Sequence, residues 1–524
     1  MGESRPKVSP WIIALVVSMA TFMEVMDTSI ANVALQHIAG TMAADQDEST
    51  WVLTSYLVSN AIILPISGWL ASVMGRKRFY MCCVALFTVS SFCCGIAPTL
   101  DILLICRVFQ GAGGGGLAPS EQSILADAFP ANLRGQAFAL YGMAVVFAPA
   151  VGPALGGWIT DTYSWRWIFF INIPVGILSL FLTWHLVEDS EGAKKEHESV
   201  WRGGLKIDYI GFGLVAIGLG FMQIVLDKGQ EDDWFSSPFI RYLAIISAIC
   251  IIVLIIRELT IAHPIVDLPL FKNRAFLITN IVMFAVFFVL LSTTQLLPQF
   301  VQTLMGYDAT KAGLILMPGG FTIMLLMPIA GKLVNKIQPR YLIAFGLLAM
   351  SLTMEYMTNF DTQVSFKVIA VARMAQAGSM AFLFVPINTV AYTDLPPGKS
   401  NSASAMINLM RNLGGSVGIS MANTILARRG QFHQARISES ISKYNWMFNN
   451  AISNTAKTLI HQGANPASAM SQALGTIYRQ VQRQAAMLSY IDDFKVMAVG
   501  AFVIIGLAFF LKEVDLTSIE AHGH

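Results

Sequence analysis

The sequence predicts an all-α polytopic membrane protein of fourteen transmembrane helices. Two six-helix bundles are expected, related by a pseudo-twofold axis along the membrane normal, with two extra helices between them. Three observations carry that prediction. The 524 residues are 55% hydrophobic and only 13% charged, with a formal net charge of +2, whereas a soluble domain carries roughly 25% charged residues. Apolar runs of about 20 residues, enough to cross a bilayer, recur along the whole chain. The third observation is internal repetition. Pro65-Ile-Ser-Gly-Trp-Leu70 is echoed 263 positions later by Pro328-Ile-Ala-Gly-Lys-Leu333, and Arg107-Val-Phe-Gln110 is echoed 266 positions later by Arg373-Met-Ala-Gln376. Gly152 lies 263 positions before Gly415. Three echoes in one order imply a duplicated unit. Copies that keep their orientation are parallel repeats, which set a substrate path between the halves near the bilayer midplane.

The first bundle is expected over residues 1–190, with spans near 11–35, 51–74, 79–97, 100–122, 137–160 and 166–187. Its first apolar run is too long for a signal-peptide core and has no small-residue cleavage site, so no cleavable leader is expected. Residues 191–262 take up a charged linker reaching Lys206 and an inserted pair of spans near 207–226 and 239–258, which have no repeat mates. Their almost uncharged interiors point to lipid contact and packing. The second bundle, 263–524, holds spans near 275–304, 312–334, 341–358, 365–390, 402–427 and 495–511. A polar stretch, 428–494, is expected as a long loop on the outer face. It contains a helical pattern at Leu474, Ile477, Val481, Ala485 and Leu488, and Asn465-Pro466 is a start signal for that helix.

Orientation follows from the basic residues of the connections. Arg76-Lys77-Arg78, Arg134, Lys194-Lys195, Arg202, Lys206, Arg257, Lys272, Arg274, Lys332, Lys336, Arg340 and Lys399 fall on one side. The opposite loops are acidic or neutral, with Asp45, Asp47 and Glu48 and then 227–233. Both termini are therefore expected in the cytoplasm. All six cysteines lie inside spans and the eight histidines are scattered, so the pattern gives no metal cluster, cofactor site or catalytic constellation. A polytopic enzyme and nucleic-acid binding are both disfavoured. The run 110–116, rich in glycine, lacks the Lys-Ser/Thr end of a phosphate loop and no strand precedes it; within a membrane helix it reads as a close-packing surface.

An ionisable residue inside a span is by default a functional hypothesis. Glu24 and Asp27, three apart in the first span, share a helix face. Asp27 and Arg107 lie about nine and seven residues from the outer ends of their spans, so their depths match within a few ångström. They are natural partners. One reading is a structural ion pair that locks two helices. The other is a proton site: Asp27, assisted by Glu24, carries the coupling proton, and Arg107 tunes it. Arg373, Glu355 and Arg411 are further intramembrane charges, read as structural or gating, and the second half has no sequence equivalent of Asp27. A last feature is 148–157, where Pro149, Gly152, Pro153, Gly156 and Gly157 crowd one span. Proline removes a helical hydrogen bond and glycine admits a close neighbour, so this stretch reads as a moving part.

Together these residues resemble the major facilitator superfamily, in its fourteen-helix drug:proton antiporter branch of the EmrB/QacA type (DHA2). The likeness covers essentially the whole chain. It is carried by 26–35 in the first span, 68–77 after the second, 107–111 in the fourth, 148–157 in the fifth, and by Pro264-Ile-Val-Asp-Leu-Pro-Leu-Phe271 and Arg411-Asn-Leu-Gly-Gly415. The resemblance implies the major facilitator fold and proton-driven export of lipophilic drugs or toxic compounds by alternating access across a bacterial inner membrane. It assigns Gly68, Gly75, Arg76 and Lys77 to a cytoplasmic gate and 148–157 to a motif of exporters. Many members carry Asp where this chain has Ser72, so closure here must lean on Arg76, Lys77, Arg78 and other contacts. No cofactor beyond the proton gradient is implied. An EmrA-like periplasmic adaptor and a TolC-like outer-membrane channel are implied as partners, beside membrane lipids. Expected substrate-lining groups are Asn32, Tyr56, Asn60, Gln295, Gln299 and Asn388. The alternative is a dedicated exporter of one metabolite or lipid-like compound.

Overall fold

The computed structural model describes residues 9–202, 208–261, 264–393, 395–396, 399–439, 441 and 445–511. Lys206 and both chain ends lie outside the described residues. The first bundle starts with α1 (Pro10–Met42), opened by a proline whose missing N–H is no loss in a first turn. Helix α2 (Gln46–Met74) opens on a capping box. There the Asp45 carboxylate accepts from the Glu48 N–H at 2.9 Å, and the Glu48 carboxylate accepts from the Asp45 N–H at 3.2 Å. Helix α3 (Arg76–Ile96) follows at once, through Gly75 with φ +86°, a left-handed conformation that favours glycine.

The span expected at 100–122 is two helices, α4 (Leu100–Gly114) and α5 (Leu117–Ala128), which meet at Gly115 and Gly116. Helix α6 (Ala131–Thr162) keeps Pro149 and Pro153 inside it, and α7 (Trp167–Phe170) with α8 (Asn172–Leu186) completes the bundle. The charged linker is not featureless: it forms α9 (Glu191–Arg202). The inserted pair is α10 (Tyr209–Lys228) and α11 (Pro238–Thr260), packed on each other and, through α10, on α2.

The second bundle comprises α12 (Arg274–Met305), α13 (Ala309–Leu333), α14 (Pro339–Met357), α15 (Phe366–Ala391), α16 (Ser400–Glu439), α17 (Trp446–His461) and α18 (Pro466–Ala508). One expectation needs correction. The stretch 428–494 is not a loop, because α16 continues to Glu439, α17 follows, and α18 starts at Pro466. The change from apolar to polar composition does not end a helix that meets no proline. Asn465 does cap α18 as expected, accepting from the Ala467 N–H at 3.0 Å. Within the expected apolar stripe, Val481 and Ala485 are buried while Leu474 and Leu488 are exposed.

Eleven helical segments among the described residues are long and apolar enough to cross a membrane. The remaining three of the fourteen expected spans fall on α14, α16 and α18. Their hydropathy is lowered by charges such as Arg340 and Glu355, Arg411, and Asp492 with Asp493. The halves meet along two long seams, α6 against α13 and α2 against α16. Below, the end of the molecule that holds Gly75 is called the basic end, and the end that holds α17 the far end.

Candidate functional site

Asp27 on α1 and Arg107 on α4 form an ion pair, Arg107 Nη1 to Asp27 Oδ2 2.6 Å, with side chains 1% and 0% exposed. Three donors converge on the two carboxylate oxygens, because Gln110 Nε2 and Asn172 Nδ2 donate to Oδ1 at 3.0 and 2.6 Å. Arg107 Nη1 also donates to Gln110 Oε1 at 2.7 Å and Nε to the Val52 carbonyl at 3.0 Å. The guanidinium lies over the Tyr56 ring, 4.5 Å from its centroid. Gln110 sits three residues after Arg107, on the same face of α4. Asn172, from the start of α8, had no signal in the sequence beyond being polar in a span.

The repeat preserves this geometry and changes its charge. Arg373 Nη1 donates to Gln376 Oε1 at 2.6 Å, as Arg107 does to Gln110. In place of Asp27 stands Thr293, 266 positions later, whose hydroxyl accepts from Gln376 Nε2 at 2.5 Å and Arg373 Nη1 at 3.4 Å. Thr294 takes a further bond from Arg373 Nη2 at 2.9 Å. The structure therefore supplies the mate of Asp27 that the sequence hid: a threonine, which binds the same donors without neutralising the cation.

Glu24 lies against the seam between the halves. Its Oε1 accepts from Tyr56 Oη at 3.2 Å and Asn60 Nδ2 at 3.3 Å, and Oε2 has no partner among the described residues. Asn60 Oδ1 in turn accepts from Asn412 Nδ2 on α16 at 3.2 Å, so this cluster touches both halves. Of the expected lining residues, Tyr56 and Asn60 join this cluster. Gln295 donates to Asn423 at 3.2 Å, and Gln299 is half-buried with an Oε1 that has no partner among the described residues. Asn32 lies on the exposed face of α1. Asn388 is fully buried toward the basic end, accepting from Gln122 Nε2 at 3.2 Å. The six do not form one wall.

Sequence reasoning missed the polar network around Asn388. Asn408 Nδ2 donates to Gln122 Oε1 at 2.6 Å, Tyr141 Oη to Asn408 Oδ1 at 3.4 Å, and Arg411 Nη1 to Tyr141 Oη at 2.6 Å. Ser123 and Ser404 hydroxyls lie 2.7 Å apart. These contacts join α5 and α6 of one half to α15 and α16 of the other. They close the basic end in this conformation.

The gate residues lie beneath that network. Arg76 is buried and pairs with Asp127 of α5 and, at 3.3 Å, with Glu196 of α9. Glu196 also accepts from Asn401 Nδ2 of α16 at 3.2 Å, so α9 ties the two halves together. Burial pushes the Glu196 carboxyl up from its ordinary value, against the pull of Arg76. The Ser72 hydroxyl donates back to the Trp69 carbonyl, at 2.8 Å, and the Ser72 carbonyl bonds the His197 ring of α9 at 3.2 Å. Acids at other positions serve here: Asp189 Oδ1 accepts from the Lys77 N–H at 2.9 Å, at the first turn of α3. Lys77 Nζ reaches the Trp184 carbonyl at 2.7 Å. Gly68 allows contact across the seam, since a Cβ there would stand 2.9 Å from the Asn401 carbonyl oxygen.

The stretch 148–157 packs α6 between α1 and α13. Pro153 has no N–H for the Pro149 carbonyl, and Ser29 of α1 donates to that carbonyl instead, at 3.4 Å. Gly152 makes this approach possible: a Cβ there would lie 2.6 Å from Ser29 Oγ. Gly156 packs in the same way on Ile30, while Gly157 has ordinary room, with 3.9 Å to Thr310 Oγ1.

Residues 17–419 match the family model described as Major Facilitator Superfamily. The multidrug export protein EmrB of Haemophilus influenzae is 35% identical to this chain over 98% of it and 99% of that protein. The fatty acid resistance protein FarB of Neisseria gonorrhoeae is 36% identical over 96% of both chains. Among solved structures, the proton:xylose symporter XylE bound to 6-bromo-6-deoxy-D-glucose gives a TM-score of 0.59 at 16% identity, covering 98% of this chain and 99% of that one. At that identity the likeness is one of fold.

Proposed function

The chain belongs to the major facilitator superfamily, in its EmrB-type drug-export branch, and from that premise we propose that it is a proton-coupled multidrug efflux transporter. It is a multi-pass membrane transporter and not an enzyme. Lipophilic compounds bind between the halves from the basic side, which we assign to the cytoplasm of a bacterial inner membrane, and leave at the far end. The observation that carries the proton coupling is the buried ion pair of Asp27 and Arg107, present in one half and reduced to Thr293 and Arg373 in the other. A carboxylate out of water is stable only while its counter-charge and donors stay in place. Movement of α1 against α4 changes that balance, and proton uptake at Asp27 offsets it. The close contact of α6 with α1 at Gly152 couples such movement to the seam with α13.

The far end supports a tripartite arrangement with an EmrA-like adaptor and a TolC-like channel. There the ends of α16 and α18, with α17 between them, present Phe432, Trp446, Met447, Met470 and Tyr478 exposed. Exposed apolar groups in such a cluster suit a protein partner. A second reading, an exporter dedicated to one lipid-like compound, draws on the likeness to the fatty acid resistance protein. Everted membrane vesicles test both. Addition of a substrate should collapse a preformed proton gradient, and a chemically mixed panel of active compounds supports the multidrug reading. Response to fatty acids alone favours the second, and no response to any member sinks both.

A further inference from the structure

Glu121 of α5 takes no part in the exchange described so far, yet it is a carboxylate at the centre of the molecule with no exposed surface. Its Oε1 accepts from the Ser18 hydroxyl of α1 at 2.5 Å. Its Oε2 is buried and without a partner among the described residues. Glu24, six residues after Ser18 on α1 and so roughly 9 Å further along it, shows the same pattern, with one oxygen bonded and the other unpartnered. Asp27 is the contrast: both oxygens are filled and a guanidinium balances the charge.

The charged and titratable groups facing Glu121 can be named helix by helix. Helix α1 brings Glu24, α3 Tyr80, α6 Tyr141 and α16 Arg411. On α4, which meets α5 at its glycine end, Arg107 is already paired with Asp27. Tyr80 donates to the Val17 carbonyl at 3.0 Å. Among the described residues, the one cation free to serve Glu121 is Arg411, which comes from the opposite half and is held by Tyr141 at 2.6 Å. It acts electrostatically on Glu24 and Glu121 together, but forms no ion pair with either among the described residues.

A buried carboxylate oxygen with no hydrogen bond and no contacting cation is very costly, and a neutral carboxyl is the stable alternative. We propose that Glu121 is a second proton-binding carboxylate of the transport cycle, loaded in this conformation, which is closed at the basic end, and discharged by Arg411 when the halves move. The O–H bond at Oε2 breaks as the basic end opens. The proton passes to water on that side, and the carboxylate left behind faces Arg411, released from Tyr141. The inference rests on the antiport reading for its place in the cycle but not for the proton itself. It makes the seam, and not only the first bundle, part of proton handling.

Infrared spectroscopy of the full-length protein in membranes tests it, through the C=O stretch that only a protonated carboxyl gives. Glu121→Gln should remove a component of that band, Glu121→Asp should restore one at a shifted position, and Asp27→Asn should leave the component in place. In everted vesicles, Glu121→Gln should slow substrate-driven proton movement about a hundredfold or more, the scale for losing one proton-transfer group, with Glu121→Asp recovering part of it. A Glu121→Gln band identical to wild type, in protein that binds substrate normally, would overturn the proposal. Wild-type vesicles with no substrate-driven proton movement would sink the antiport reading instead, while the infrared result would still stand or fall on its own.

Discussion

Replacing Gly152 by alanine tests how tightly α6 is held on α1. The new Cβ would stand 2.6 Å from Ser29 Oγ and 2.7 Å from Ser29 Cβ, distances that force a shift. Overpacking of this kind costs about 1–3 kcal/mol. The displaced hydroxyl also gives up its bond to the Pro149 carbonyl, which Pro153 cannot satisfy, and a lost bond is worth about 1 kcal/mol. Gly152→Ala should therefore lose about 2–4 kcal/mol, read as a lower thermal midpoint of the purified protein, and transport should fall with it. Gly157→Ala is the control, with its nearest neighbour 3.9 Å away, and should melt near wild type. Adding Ser29→Gly to Gly152→Ala removes both clashing atoms and should recover the steric part. A double-mutant cycle then shows positive coupling between the two positions. If Gly152→Ala melts with the wild type, or if Ser29→Gly merely adds its own loss, the close approach of these helices is not what holds them.

Arg107→Gln strands Asp27 as a buried unpaired charge and should cost about 3–5 kcal/mol; Arg373→Gln strands no acid and should lower the thermal midpoint less, and equal losses would contradict the asymmetry of the repeats. The raised carboxyl of Glu196 means that its contribution to docking α9 is fully present below the ordinary glutamate range and lost as pH rises through its folded value. Hydrogen exchange of α9, corrected for intrinsic rates, should accelerate across that window in wild type and stay flat in Glu196→Gln. Charge placed on α17 by Trp446→Asp and Met447→Asp should abolish drug resistance in cells while exchange in vesicles stays at the wild-type rate, and loss of both would remove the case for a docking role.

Much of the arrangement was legible because membrane insertion leaves simple marks. Long apolar runs gave the spans, repeat offsets gave the two halves, and depth matching brought Asp27 to Arg107. Glu121 could have been found by the same rule, since it is ionisable and lies within the span expected at 100–122. Thr293 was hidden because a search for the mate of an acid looks for another acid, whereas the conserved feature is the hydrogen-bonding position. The bridge from Arg76 through Glu196 to Asn401 joins residues 76, 196 and 401, and no periodicity links such distant stretches. The continuation of α16 past residue 428 was missed because polarity marks where a helix leaves the membrane and not where it ends.

The central claim is that a proton bound at Asp27 is exchanged for substrate. Its most direct test is the proton gradient in everted vesicles holding either the wild type or Asp27→Asn, whose amide fills the same space but cannot release a proton. Addition of a transported compound should dissipate the gradient with the wild type and leave it intact with Asp27→Asn, even where the variant still binds that compound. Dissipation by Asp27→Asn at the wild-type rate would contradict the account.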